Sequence, residues 1–467
     1  MINGIGLLQN GYAKNATATA ILHRRIPNEP PKCVASSGNY LGLVDGRQIL
    51  DATGGAAVAA IGHGNARVKA AMMRQMDEVS YVHTSFFTTT ASEELGRMLI
   101  DSTKGQMARA VIYSSGSEAM EASMKLARQY FLELSQPDRT KFIARKESYH
   151  GTTIGALSMG GHLARRKFFE PLLLGNITHV SACNEYRGPM EGESVREYVA
   201  RLARELDDEF ERLGPETVCA FVAEPVSGAA LGCVPAVPGY FQAMKAVCDK
   251  HGALLIVDEV MCGMGRTGTM HAWEQEGIVP DIQTIGKGLG GGYQPVAGIL
   301  IGHKVITAIT NGTGAFAHGQ TYQGHPVACA AAVEVLRIIQ EHSLVDNVRR
   351  MGALLGRMLK QRLSTHDHVG DIRGKGLFWG IEFVLDKATK QPFPPAMHIA
   401  NGITDKGLAA PYNISLYYGT GTVDGRCGDH ILLAPPYNVT ETDVKIIVNL
   451  TVRVIEDFFA DDIQIDF

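Results

Sequence analysis

The chain contains 467 residues, of which 45% are hydrophobic and 20% are charged, and its formal net charge is −4. This composition supports a large core, and the length favours two domains over one. The charge balance provides no basic surface for nucleic acid, and the sequence has no apolar run of about 18 residues that could span a membrane. We therefore expect neither nucleic acid nor a membrane as a partner.

Cysteine usage and the N-terminal residues bear on cellular location. The eight cysteines are scattered and none forms a Cys-x-x-Cys pair, which favours reduced thiols and predicts no metal site. The start of the chain lacks a secretory apolar block, but it is poor in acidic residues and contains Lys14, Arg24 and Arg25. A cytoplasmic location is the main expectation, and an organelle-targeting segment stays open as the alternative.

Between about residue 66 and residue 335, short apolar runs alternate with helical stretches. This alternation is typical of a mainly parallel sheet with helices on both faces, an α/β architecture. The predicted strands include RAVIYSS, KFIARK, VCAFVA and ALLIVD, and the predicted helices include SEAMEASMKLARQYFLEL and YFQAMKAVCDK. The nearly continuous apolar run ALLIVDEV indicates a strand that is buried on both faces.

The C-terminal part has a different pattern. An amphipathic helix (LVDNVRRMGALLGRMLKQRL) is followed by paired strands (GDIRGKGLFWGIEFV) and a last helix, for which Thr440 and Asp443 are spaced as a capping box. We expect residues 61–335 to form a large α/β domain. Residues 1–60 and 336–467 are expected to build a smaller α+β domain from both termini.

Ligands of parallel α/β sheets bind beyond the carboxyl ends of the strands, so polar residues at these ends are candidates for a site. The strand RAVIYS leads into SGSEA, residues 115–119, a small turn that opens a helix. Free amides at a helix start, together with the helix dipole, bind phosphate. A plain N-cap by Ser115 or Ser117 explains the same residues, so both interpretations remain open.

Other strand ends deliver an aromatic residue and several acids. The strand KFIAR leads to Tyr149 and His150; the tyrosine ring could stack on a flat cofactor or could simply belong to the core. The next strands lead to Glu224, and to Asp258 and Glu259. A carboxylate after so apolar a strand costs free energy unless it meets a cation or hydrogen-bond donors. These acids therefore indicate either a ligand site or a structural ion pair or helix cap.

The segment TIGKGLGGGYQP, residues 284–295, contains one lysine, Lys287, among glycines. It also spells the dinucleotide pattern G-x-G-x-x-G at Gly286, Gly288 and Gly291. That pattern needs an acidic residue about 20 positions later, whereas the first acid after Asp281 is Glu334. Lys287 instead follows Asp258 by 29 residues (287 − 258), which fits one helix and one strand and brings both to one sheet edge.

A phosphate-binding turn, an aromatic plate, a carboxylate and a lysine at one edge together match pyridoxal 5′-phosphate. The carboxylate keeps the pyridine nitrogen protonated so that the ring acts as an electron sink, and the lysine forms the Schiff base. The sequence therefore predicts this cofactor, with Lys287 and Asp258 as catalytic residues and with His150 and Glu224 beside them.

The motifs SGSEA, YHG, AEPVSG, LLIVDEVMCGMGRTG, PDIQTIGKGLGGGYQPVAG and HGQTYQGHPVACAAA resemble the class III pyridoxal-phosphate aminotransferases of fold type I. The resemblance covers about residues 38–456. It implies that Gly116 and Ser117 contact the phosphate and that Tyr149 and Val260 contact the two faces of the ring. It also implies that Asp258 bonds to the pyridine nitrogen and that Lys287 forms the Schiff base. Thr321 is implied to contact the phosphate in the partner subunit. The last contact implies a homodimer with shared active sites.

The resemblance also bears on the substrate. The segment YVHTSFFTT, with Phe86 and Phe87, is similar to the family segment that lines the substrate entrance. Ornithine- and GABA-type members have a second glutamate where this chain has Ala229, which favours the amine:pyruvate, or ω-transaminase, branch. In some members of that branch a mobile arginine precedes Gly-Asp by three residues; here Gly425 stands at that position and Arg426 follows it. Arg426 is therefore an offset candidate for binding the acceptor carboxylate.

The predicted activity is a ping-pong transamination that moves an amino group from an amine or ω-amino acid to a keto acid such as pyruvate. Decarboxylation, racemisation or phospho-lyase chemistry with the same cofactor is the near alternative. A non-catalytic paralogue is the more distant one, and the presence of Lys287, Asp258 and Thr321 argues against it.

Overall fold

The structure is a computed structural model that describes residues 19–24 and 29–461. The segment considered above as a targeting signal lies mostly outside these residues. Within the described part of the chain, no helix has the length and the apolar character needed to cross a membrane.

The strands and helices alternate as expected over the central part of the chain. The strands are β1 Cys33–Ser37, β2 Tyr40–Leu43, β3 Gln48–Asp51, β4 Met107–Tyr113, β5 Lys141–Arg145, β6 Ile177–Val180, β7 Val218–Ala223, β8 Val226–Ser227, β9 Val234–Pro235, β10 Leu254–Asp258, β11 Ile282–Ile285, β12 Ala297–Gly302, β13 Val369–Lys375, β14 Phe378–Phe383, β15 Ile414–Ser415, β16 Tyr417–Thr420 and β17 Asp429–Leu433. The helices are α1 Gly54–Ala57, α2 Ala66–Glu78, α3 Thr90–Ser102, α4 Gly116–Glu133, α5 Ile154–Met159, α6 Leu163–Arg166, α7 Val195–Leu213, α8 Tyr240–Lys250, α9 His303–Asn311, α10 Pro326–Glu341, α11 Leu344–Leu363, α12 Ile399–Leu408 and α13 Glu441–Asp461.

The central sheet has seven strands in the order β4-β12-β11-β10-β7-β5-β6. Neighbours pair in parallel from β11 to β6, whereas β12 runs antiparallel to both β11 and β4. The prediction of a mainly parallel sheet is therefore confirmed. Because β12 alone is reversed, the carboxyl ends of β4, β11, β10, β7 and β5 share one edge.

Strand β10 shows why its sequence is apolar at every position. Leu254 and Ile256 pack in the cluster that contains residues of α4, and Leu255 and Val257 pack in the cluster that contains residues of α7 and α8. Successive side chains of a strand point to opposite faces of the sheet. A strand covered by helices on both faces therefore needs an unbroken apolar run, and Asp258 is the first polar residue after it.

Strands outside the central sheet form two four-stranded sheets and a two-stranded antiparallel sheet of β8 and β9. One four-stranded sheet has the order β1-β2-β3-β15, in which β15 pairs in parallel with β3, and the other has the order β13-β14-β17-β16. The pairing of β3 with β15 joins the N-terminal and C-terminal regions. At the start of α13, Thr440 and Asp443 form the predicted capping box. The domain boundaries at residues 60 and 335 stay predictions.

Candidate active site

A cavity of about 240 Å³ opens at the carboxyl edge of the central sheet. Its wall includes most of the residues predicted for the cofactor, namely Gly116, Ser117, Tyr149, His150, Glu224, Asp258, Val260 and Lys287. These residues come from five different strand ends. The shared edge of β4, β5, β7, β10 and β11 is therefore what brings them together.

The turn before α4 separates the two interpretations of its serines. Ser115 caps the helix, because its side chain accepts a hydrogen bond from the Glu118 amide at 3.3 Å. The Ser117 hydroxyl oxygen instead accepts a hydrogen bond from the Thr152 amide at 3.0 Å, which leaves its own hydrogen free to donate. The amides of Gly116 and Ser117 lie in the first turn, where a helix offers no internal acceptor. The Ser115 cap therefore leaves these amides and the Ser117 hydroxyl available for an anion.

Two glycines let this turn pack closely against its neighbours. A Cβ atom on Gly116 would lie 2.8 Å from a methyl group of Val260. A Cβ atom on Gly151, whose φ is +139°, would lie 2.5 Å from the Ser117 hydroxyl oxygen. The helix start, the segment after β5 and Val260 thus approach one another more closely than side chains would allow. This close packing shapes one end of the cavity.

Three donors orient the Asp258 carboxylate, which is 5% exposed. Its Oδ2 atom lies 2.8 Å from His150 Nδ1, and because an ionised carboxylate only accepts, the imidazole donates through Nδ1. Its Oδ1 atom accepts hydrogen bonds from the Thr284 hydroxyl at 2.9 Å and from the Val260 amide at 3.0 Å. These bonds offset the cost of burying the charge and fix the carboxylate in the cavity wall.

Lys287 follows β11 with a φ of 44°, in the left-handed region, and begins a short 3₁₀ turn. The glycines beside it serve packing: a Cβ on Gly286 would lie 3.3 Å from Ala297 Cβ, and one on Gly288 would lie 3.0 Å from the Tyr437 hydroxyl oxygen. Burial lowers the pKa of the lysine, and the nearby Asp258 and Glu224 only partly oppose this shift. The glycine-rich segment therefore presents a lysine amine that loses its proton more readily than usual.

The two remaining acids have different environments. Glu224 lies in the cavity wall; it accepts hydrogen bonds from the Ser227 hydroxyl and the Gly228 amide, each at 3.2 Å, and burial raises its pKa. Glu259 accepts hydrogen bonds from the amides of Ala272 and Trp273, both at 2.7 Å. Glu259 therefore acts as a structural cap for the turn that contains these two amides.

Tyr149 contributes a flat ring to the cavity wall. The guanidinium carbon of Arg165 lies 4.9 Å from the centre of this ring. Burial raises the pKa of the tyrosine, so the hydroxyl stays protonated at neutral pH. The ring is a flat apolar surface with a cation beside it.

Glu147, in this segment, interacts electrostatically with a C-terminal loop. It has a φ of 49° and precedes Tyr149 by two residues. Burial raises its pKa to about 7, and the negative charge of Asp424 contributes to the shift while Lys146 and Arg145 oppose it. Asp424 belongs to the loop 421–428, which also carries Arg426.

The residues predicted for the substrate and for the partner subunit lie outside the cavity wall. Phe86 and Phe87 are 77% and 65% exposed. Thr321 is exposed, and its carbonyl oxygen accepts a hydrogen bond from the Tyr81 hydroxyl at 3.0 Å. Arg426 is also exposed, and its amide donates to Asp424 Oδ1 at 2.8 Å. A single chain therefore does not bring these residues to the cavity.

Other wall residues were not foreseen from the sequence. Val58, from the N-terminal part of the chain, and Met261, Gln294 and Pro295 line the cavity. Their apolar or neutral side chains carry no chemical signal in the sequence. Thr284 does carry a signal in the sequence, because it is a polar residue near the end of an apolar strand. In the structure its hydroxyl donates to Asp258.

The donor set fits a flat, phosphorylated cofactor with a ring nitrogen. The start of α4 offers amides and the Ser117 hydroxyl to an anion, and glycines replace the Cβ atoms that would fill that space. Tyr149 and Val260 supply apolar surfaces in the same wall as the Asp258 carboxylate and the Lys287 amine. Each group of pyridoxal phosphate thus finds a matching residue type.

The chain is similar to known proteins along most of its length. The sequence profile of the family described as Aminotransferase class-III matches residues 25–455. An aminotransferase of Gibberella zeae is 54% identical over 431 residues, which cover 92% of this chain and 84% of that protein. The gamma aminobutyrate transaminase 3 (chloroplastic) of Solanum lycopersicum is 36% identical over 432 residues, which cover 90% and 79% of the two proteins. The crystal structure of the ω-transaminase of Pseudomonas jessenii in complex with PMP has a TM-score of 0.86 at 34% identity, covering 92% of this chain and 93% of that one.

Proposed function

The chain belongs to the class-III aminotransferase family, and from this premise we propose that it transfers an amino group from an amine or ω-amino acid to a keto acid such as pyruvate. The predicted fold type I architecture, the transaminase activity and the dependence on pyridoxal phosphate are confirmed. The identity of the donor and of the acceptor, and the role of each residue, are the content of the proposal.

The residues of the cavity divide the work of such a reaction. The cofactor, when bound, supplies an electron sink for the electrons released at the substrate Cα. Lys287 would hold the cofactor covalently, and its free amine would accept the proton from the substrate Cα. Asp258 keeps the ring nitrogen protonated, because an opposite charge nearby favours the protonated form. Gly116 and Ser117 bind the phosphate, and Tyr149 and Val260 hold the ring faces.

The observation that carries the proposal is the meeting of Lys287 and Asp258 in one cavity wall with the phosphate turn. The preference for an uncharged amine rests on the rest of that wall. Ala229 lies there, at the position of the second glutamate of GABA-type members, together with apolar residues such as Val226 and Met261. An apolar wall favours an uncharged donor, since a buried charge without a partner is costly.

We also propose that the protein is a homodimer with shared active sites and that it is located in the cytoplasm. Large exposed aromatic side chains near the predicted entrance, those of Phe86, Phe87 and Tyr322, support an interface on this face. In such a dimer Thr321 of each chain reaches the cofactor phosphate of the other. The free cysteines, most of them buried, support a reducing compartment.

The test is a screen of amine donors with the purified holoenzyme and pyruvate, following alanine formation and the cofactor absorbance. We expect alanine to form from uncharged amines, and the cofactor spectrum to change on adding donor and to recover on adding pyruvate. Omission of pyruvate is the control. Product formation that does not require a keto acid, such as release of carbon dioxide or phosphate from the donor, would contradict the proposal and favour a decarboxylase or phospho-lyase.

A further inference from the structure

Within the described part of the chain, the cavity wall offers no free cation for the carboxylate of a keto acid. Among the charged residues of the wall, Glu224 and Asp258 are acids, and the single lysine, Lys287, is engaged with the cofactor under the proposed function. A carboxylate that enters such a site needs a positive partner, because an unpaired charge in an apolar cavity is costly. A short keto acid differs from an uncharged amine mainly in this charge.

The C-terminal loop cannot place an arginine where related enzymes have one. Gly425 has a φ of +76°, and its carbonyl oxygen accepts a hydrogen bond from the Ala164 amide at 2.9 Å. A Cβ atom at this position would lie 2.8 Å from the Leu163 amide nitrogen. Helix α6 therefore occupies the space that a side chain at position 425 would need. Arg426, the next residue, is exposed.

Helix α6 places a guanidinium beside Tyr149, a residue of the cavity wall. Arg165 stacks on Tyr149, with its Cζ atom 4.9 Å from the ring centre, and within the described residues it forms no ion pair. The neighbouring Arg166 is committed to structure: it donates to the carbonyl oxygens of Ser158 and Gly160 at 2.8 and 2.7 Å and pairs with a glutamate. Among the residues that the structure describes, Arg165 is thus a cation without a carboxylate partner, and it lies beside a wall residue.

We propose that Arg165 binds the carboxylate of the keto acid acceptor and takes the place of the loop arginine. This inference rests on the proposed function. Stacking uses the face of a guanidinium and leaves its edge donors free for a bidentate bond to a carboxylate. A stacking contact at an exposed site is weak, so Arg165 can move toward a carboxylate and away from an uncharged amine.

The experiment compares the two half-reactions in holoenzyme variants by stopped-flow absorbance. The donor is 1-phenylethylamine, which is uncharged once deprotonated, and the acceptor is pyruvate. For the half-reaction with pyruvate, we expect Arg165→Ala to lower the ratio of the rate constant to the dissociation constant by about 10- to 100-fold. This is the scale of hydrogen bonds to a charged group. The rate constant for the amine should change by less than about threefold. Arg165→Lys should recover part of the loss, and Lys167→Ala, which removes an exposed cation next to α6, is the matched control.

A second measurement reports carboxylate binding without turnover. Propionate, a carboxylate without a keto group, is titrated into each holoenzyme by calorimetry. We expect its dissociation constant to rise at least about tenfold in Arg165→Ala and to stay unchanged in Lys167→Ala.

The outcomes separate this inference from the proposed function. If the wild-type enzyme shows no amine-to-pyruvate transfer, the proposed function is wrong, and the propionate titration still tests Arg165. If the wild type is active and Arg165→Ala slows both half-reactions equally, Arg165 only positions Tyr149 and the inference is overturned. A selective loss in Arg426→Ala instead would assign the carboxylate to the loop.

Discussion

The cofactor end of the cavity and its entrance are built in opposite ways. At the cofactor end, Asp258 and His150 are 5% and 3% exposed and bond to each other at 2.8 Å. At the entrance, Phe86 and Phe87 are 77% and 65% exposed. One chain therefore preorganises the cofactor end, whereas under the proposed function a second chain or the substrate completes the predicted entrance.

The largest effect is expected from Lys287, the residue that transfers the proton under the proposed function. Lys287→Ala should fold and bind the cofactor through the phosphate and ring contacts. Turnover should fall by about 10⁴-fold, the upper range for a positioned general acid–base. Steady-state assays and the absorbance of the bound cofactor measure this. Lys304→Ala, a partly exposed lysine that pairs with Asp281 at 2.7 Å, is the matched control. Near wild-type activity in Lys287→Ala would remove the central claim.

A smaller effect is expected from Asp258, which acts on the cofactor through charge. Asp258→Asn keeps the size of the side chain and removes the charge that favours a protonated ring nitrogen. Single-turnover rates should fall by about 10²- to 10³-fold, the range for a preorganised electrostatic contact. Thr284→Val, which removes one donor to the carboxylate, should cost about tenfold or less. Unchanged single-turnover rates in Asp258→Asn would show that its charge has no role.

The smallest effect is expected from Thr321, which belongs to the entrance and, under the proposal, to the other subunit. Thr321→Ala should raise the dissociation constant for pyridoxal phosphate by about tenfold, as one charged hydrogen bond is lost. The control is Thr307→Ala, which removes a hydroxyl that donates to the His303 carbonyl oxygen of its own helix.

Mixed dimers sharpen this test of the shared site. In a dimer of one Thr321→Ala chain and one Lys287→Ala chain, the only active site has an intact Lys287. If Thr321 acts across the interface, that site receives Thr321 from the Lys287→Ala chain and binds the cofactor with wild-type affinity. Weak binding at that site would mean that Thr321 acts within its own chain.

The same contrast explains which features the sequence could predict. The cofactor residues follow apolar strands at their carboxyl ends, so Asp258 and Lys287 could be placed at one edge from strand pattern and spacing alone. Ser115 and Glu259 could not be distinguished from ligand-binding residues, because capping depends on which amide lies within reach in three dimensions. Val58 lines the cavity through tertiary packing and carries no chemical signal.

The residues near the predicted entrance are harder to predict from the sequence, for a different physical reason. Arg165 carries no signal in the sequence, because its proposed role depends on the contact between α6 and the loop 421–428. That contact joins residues far apart in the chain. The offset of Arg426 was visible in the sequence, whereas the clash that a side chain at Gly425 would cause with Leu163 required coordinates. Long-range packing, rather than local pattern, decides this part of the site.

The raised pKa of Glu147 makes the stability of the fold depend on pH. The pKa is about 7 in the folded chain and 4.5 in an exposed one, so the folded state binds the proton more tightly. The stabilisation is complete below about pH 4.5 and is lost as the pH rises toward 7 and beyond. The difference, 7 − 4.5, corresponds to at most about 3 kcal/mol of unfolding free energy. Urea unfolding at pH 5 and pH 8 should show this loss in the wild type and a smaller one in Glu147→Gln, and an identical loss in both would exclude Glu147 as its source. Since the negative charge of Asp424 contributes to the shift, protonation of Glu147 removes a charge repulsion between the segment that carries Tyr149 and the loop of Arg426.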